Sequence, residues 1–188
     1  MARRVRRKAA SGRPPPVPLT VEALHARALR HLDRFDASAA QLRALLRRLV
    51  RRADLDDAAT ARLDVEIETL VARLSATGVI DDRRFAETLA RGQRSRGASA
   101  RAIAEKLRAR GVADATIVAA IRGADGDDDA PELAAARALV RRRRLGRYRP
   151  PASREAMAKR DLGVLARAGF SLEVARRALE VKIDDDAF

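Results

Sequence analysis

Apolar residues recur every three or four positions along this chain, in short runs punctuated by Gly, Ser and Asp. That period predicts amphipathic helices throughout. In the central stretch, Phe85 and Leu89 share a face, with Arg83, Arg84, Glu87, Arg91 and Arg94 largely on others. Asp81 and Asp82 stand where carboxylates accept the free N–H groups of a helix start and meet its positive dipole end. Gly97 ends this helix and Ser99 caps the next, whose stripe is Ile103 and Leu107 flanked by Ala100 and Ala104, with Gly111 at its C-cap. Val112 leads into a third helix, with Ile117, Val118 and Ile121 inward and Gly123 closing it. Helices shorter than about 12–15 residues are marginal in water, so the three must bury their stripes against one another.

The same pattern flanks this module on both sides. Thr20 caps a helix carrying Leu24, Ala28 and Leu32, and Ser38 with Gln41 forms a capping box before Leu42, Leu45, Leu46 and Leu49. After an acidic break at Asp54–Asp57, Leu63, Ile67, Leu70, Val71 and Leu74 line a longer helix that stops at Thr77–Gly78. Beyond the centre, Leu133, Ala136, Leu139 and Val140 mark a helix ending in Arg141–Arg144, and a basic loop (Leu145 to Pro151) follows. Ser153 then caps a helix with Met157, Leu162 and Leu165 inward, where Gly163 marks a close helix contact. Phe170 packs inward, and Ser171 caps a last helix with Val174, Ala178 and Leu179. Ser38, Ser99 and Ser153 thus each open the second helix of a module.

The organisation expected is a basic Pro-containing arm (1–18), a first three-helix module (19–77), a central one (78–123), an acidic linker (124–130), a third module (131–183) and an acidic tail (184–188). Three modules that each touch only their neighbours give an elongated, curved array. The arm carries six positive charges, no negative one and a Pro14–Pro16 run, the composition of a disordered segment.

Composition narrows the class. Aromatic residues are only 3% of the chain, so the core is Leu, Ala, Val and Ile, which suits packed helices: the fold is all-α. A net charge of +14 favours anionic partners. Cysteine is absent, which fits the cytoplasm, and no apolar run approaches the roughly 18 residues of a membrane span. The arm lacks the apolar segment of a secretory signal. His25 and His31, six apart, share no helix face and have no further ligands nearby, so no metal site is expected. The acidic linker lacks the spacing of a calcium loop. With no phosphate loop and no nucleophile–base set, neither an enzyme nor a cofactor is expected. A helix-turn-helix reading of Ala100 to Ile121 describes a basic DNA-binding protein, but Ala113, Asp114 and Ala115 stand where a reader of base edges needs Arg, Lys, Asn or Gln.

One resemblance sharpens this. The run Ile80 to Ala86 (I-D-D-R-R-F-A), followed by Arg-Gly and by Leu-x-x-x-Gly-Val from Leu107 to Val112, resembles the central repeat of the RecX family. Leu165 to Ser171 is similar to that family's L-x-x-x-G-F-S segment, in the expected order. The likeness holds from about residue 60 to 182, is loose from 20 to 60 and is absent before that; Val79 replaces a frequent aromatic, and the basic arm is not a family feature. It implies a non-enzymatic regulator that binds the RecA–single-stranded DNA filament, inhibits its recombinase, ATPase and coprotease activities, and so modulates DNA repair and the SOS response. Asp82, Phe85, Gly111, Gly169 and Phe170 match family motifs and are read as capping, packing and turn residues. Contact candidates, chosen from charge clustering as exposed arginines, are Arg91, Arg94, Arg96, Arg108 and Arg110 in the central module and Arg141, Arg142, Arg143, Arg144, Arg147 and Arg149 in the third. A monomer touching the filament, with single-stranded DNA as a further contact, is the expected state.

Overall fold

The computed structural model describes residues 19–53, 55–126 and 130–180. The basic arm, the acidic tail and residues 127–129 of the linker lie outside them. Among the described residues there are nine α-helices and no strand. They are α1 (Val21–Leu32), α2 (Ala39–Arg51), α3 (Asp57–Ala76), α4 (Asp82–Arg94), α5 (Ala100–Arg108), α6 (Asp114–Asp125), α7 (Pro131–Arg143), α8 (Arg154–Arg167) and α9 (Leu172–Leu179).

Three separate cores form, one for each consecutive trio. Leu24, Leu42, Leu46, Ile67 and Val71 centre the first, and Ile80, just before α4, packs with them. The second is built on Ala86, Ala90, Ile103, Leu107 and Ile117, and the third on Leu139, Val140, Leu165, Phe170 and Leu179. The caps follow the sequence closely. Thr20, Ser38, Asp56, Asp81, Ser99 and Ser171 each accept an N–H from the residue three further on. Each such bond is worth about 1 kcal/mol.

Several local expectations are corrected. Alanines 86 and 90, not Phe85 and Leu89, occupy the centre of the α4 stripe; the two larger residues flank it. Small residues there let α4 and α6 approach closely, which makes this pair the most extensive contact of the module. Val118 is exposed, because Ile117 and Ala120 set the buried face of α6. That helix continues past Gly123 to Asp125, whose carboxylate is held by Arg94. Gly163 makes no close contact with another helix; its nearest neighbour is the Arg167 side chain of its own.

Ser153 does not cap α8. Two 3-10 turns, Gly146–Tyr148 and Pro151–Ser153, lead into that helix, so Ser153 already has helical backbone angles (φ −107, ψ −6). Its hydroxyl donates instead to the Pro150 carbonyl at 3.0 Å. An N-cap needs an extended backbone to turn its oxygen onto the helix start.

Candidate partner interface

The modules are joined by a repeated junction at the N-terminus of each second helix. In the first junction the Ser38 hydroxyl, capping α2, donates to the Arg110 carbonyl, while Asp82 Oδ1 accepts the Ala39 N–H at 2.8 Å. In the second, the Ser99 hydroxyl, capping α5, donates to the Ala168 carbonyl at 2.7 Å, and Glu132 Oε1 accepts the Ala100 N–H at 2.8 Å. Both serines are fully buried. Each hydroxyl therefore accepts within its own helix and donates to the next module, using both of its hydrogen-bonding capacities.

The residue after each accepting carbonyl is a glycine. Gly111 (φ +73) leaves room for Ala40, and Gly169 (φ +92) leaves room for Ser99, whose Oγ would lie 2.6 Å from an added Cβ. Asp82, Gly111 and Gly169, read from sequence as local caps and turns, are thus contacts between modules. Phe170 is buried in the third core as expected, and Phe85 borders a small cleft with Leu32, Phe35 and Val79.

The arginines divide into struts and free cations. Arg94 is a strut, which corrects its assignment to the exposed surface: its side chain is 9% exposed and bonds Asp125 and Glu132 at 2.7 Å each and the Ala98 carbonyl at 2.9 Å. Burial, the largest influence, works against its charge, but the two carboxylates outweigh it and raise its pKa. Arg149, half-buried, is the second strut, forked onto the buried Asp161. There too burial pushes the carboxyl up, and the Arg149 and Gly146 hydrogen bonds outweigh it, leaving Asp161 below its ordinary value.

Others are exposed but engaged. Arg91 lies 3.9 Å from Glu87, Arg108 meets Asp114 at 2.7 Å, and Arg147 meets Glu180 at 3.0 Å. Arg110 is half-buried, its guanidinium on the Lys106 carbonyl. Arg96 and Arg141–Arg144 are exposed and have no ion pair among the described residues. Of the candidate arginines, these are the ones left available to an anionic partner. Asp114, paired at the start of α6, puts a carboxylate where a helix-turn-helix would meet phosphates, so the fold does not favour that docking.

Sequence reasoning missed Ser38 and Ser99 as junction donors, and Glu132 and Asp161 as anchors. The recurring Ser with an acid at the start of the following module was the available signal. Among the described residues no group of three His, Cys, Asp or Glu is placed to hold a metal, and no helix is long and apolar enough to cross a membrane.

Comparison with known proteins gives a consistent result. Residues 81–121 match the family described as RecX, second three-helix domain. The chain is 39% identical over 155 residues to a regulatory protein RecX of Myxococcus xanthus, covering 81% of this chain and 82% of that one. It is 36% identical over 184 residues to a regulatory protein RecX of Thermobifida fusca, covering 94% and 91%. A crystal structure of regulatory protein RecX superposes with a TM-score of 0.60 at 19% identity, covering 85% of this chain and 71% of that one, a likeness of fold.

Proposed function

The chain belongs to the RecX family of regulatory proteins, and on that premise we propose that it binds the RecA–single-stranded DNA filament as a monomer in the cytoplasm. Bound there, it inhibits recombinase, ATPase and coprotease activity and so modulates DNA repair and the SOS response. Relatedness running through all three modules carries this reading. Geometry supports it in two ways. A jointed array with a core in every module presents an extended face suited to a helical groove. Exposed cations without an ion pair among the described residues, Arg96 and Arg141–Arg144 among them, suit an assembly that offers both phosphates and acidic protein surface. Arg91, Arg108 and Arg147 join them as contacts only by exchanging an intramolecular carboxylate.

The test is RecA ATPase on single-stranded DNA with this protein at substoichiometric ratio. Inhibition that deepens with time is expected, and an unchanged rate overturns the proposal. A folded triple variant, Arg96→Glu with Arg142→Glu and Arg143→Glu, should lose most of the inhibition without loss of helicity, since all three side chains are exposed.

A further inference from the structure

The loop between α7 and α8 is fixed more firmly than a connection between two helices requires. Asp161, 1% exposed, accepts the Gly146 N–H and Arg149 Nε at Oδ2, both at 2.8 Å, and Arg149 Nη2 at Oδ1, at 2.7 Å. From outside, the Arg154 guanidinium donates to the Arg149 and Arg147 carbonyls at 3.0 and 2.9 Å. Leu145 is buried beneath. What this frame holds in solvent is Tyr148, 40% exposed, with the Arg147 guanidinium 5.2 Å from its ring centroid. Arg147 is itself held in place by Glu180. Just upstream, Arg141–Arg144 are exposed and without ion pairs among the described residues.

An exposed ring on a pinned loop, beside unpaired cations, matches what single-stranded nucleic acid requires. A base stacks on the ring, phosphates meet the guanidiniums, and a preset loop loses little entropy on binding. A duplex keeps its bases stacked on one another and gives the ring no partner. An acidic protein surface would use the arginines equally but leaves the fixed aromatic unexplained.

We propose that this loop is a base-stacking contact for single-stranded DNA, with Tyr148 as the platform, Arg147 backing it and Arg141–Arg144 on the flanking phosphates. It deepens the regulator reading by naming the nucleic-acid contact. Its test contains no recombinase, so loss of either proposal leaves the other standing.

Tyr148 is the one tyrosine in a chain without tryptophan, which makes its emission a direct reporter of the site. Titrating the full chain with oligo(dT) should quench that emission saturably, whereas a hairpin duplex should not. By fluorescence anisotropy, Tyr148→Ala should weaken oligo(dT) binding about tenfold, while Tyr148→Phe, which keeps the ring, stays close to wild type. Replacing Arg142 and Arg143 by Gln should shallow the salt dependence of log affinity by about 1.4. Emission unmoved at saturating oligo(dT), or a folded Tyr148→Ala that binds as wild type, overturns the site. So does a duplex that quenches equally. If the Ala variant fails to fold, the wild-type quenching experiment still decides.

Discussion

The two junctions share one plan and differ chiefly in one residue. Each has a buried serine donating to a carbonyl of the next module, an acid at the start of that module's first helix, and a glycine where the backbones meet. Only the second adds a buried guanidinium. Arg94 ties α4 to Asp125 at the end of α6 and to Glu132 at the start of α7. Counting back from the capping serine, the matching position in the first module is Asp33, which is exposed. A hydrogen-bonded junction is therefore enough to align two modules. The ionic network fastens the third module and orders the helix ends around the linker. Charge in the core is seldom a net gain in stability, but once present, each partner depends on the others.

Removing that network is expected to give the largest effect. Arg94→Ala leaves the Asp125 carboxylate and the Ala98 carbonyl unpaired and Glu132 with the Ala100 N–H alone, and should cost about 3 kcal/mol in urea unfolding, the low end for a buried pair because Asp125 and Glu132 keep some solvent. It should also broaden the transition as the third module uncouples, whereas no variant in the first junction should do so. A single sharp transition in the Arg94 variant would remove the distinction between the junctions.

Gly111→Ala and Gly169→Ala strain the shared plan. Each puts a Cβ at positive φ against the neighbouring module, and each should cost about 2 kcal/mol by thermal unfolding. Next come the serines. Ser38→Ala and Ser99→Ala each lose a cap and an intermodule bond, about 1.5 kcal/mol. Equal losses would mean that the hydrogen-bonded part works independently of Arg94; a larger loss at Ser99 would show coupling.

Acid probes the third module's loop. The folded pKa of Asp161 lies below its unfolded value, so its contribution is complete above about pH 4 and fades as pH falls through the folded pKa. Asp161→Asn should be less stable at neutral pH and should show a flatter acid limb in stability against pH. Ser153→Ala should have the smallest effect, within about 0.5 kcal/mol, because Ser153 caps no helix and its one bond is an exposed, local one to the Pro150 carbonyl.

Three serines that look alike in sequence thus have two different fates. Pro150 and Pro151 explain it. They favour the 3-10 turn Pro151–Ser153, which brings Ser153 to α8 with its backbone already helical. The caps at Thr20, Ser38, Asp81, Ser99 and Ser171 were legible because capping is settled within four consecutive residues. The placement of Phe85 and Val118 was not, since each sits at the edge of an apolar stripe whose exact rotation depends on the helix packed against it.

By itself, the sequence determined the all-α class, most helix ends, the three-core repeat and the family, because period, caps and motifs are local properties of the chain. Which arginines remain free for a partner was decided only by tertiary structure. Arg94 and Arg96 are two residues apart and equally basic in sequence, yet one is buried among carboxylates supplied by α6 and α7 while the other faces solvent. Long-range pairing sets the difference: a cation becomes a strut or a contact according to which carboxylates the fold brings within about 4 Å of it.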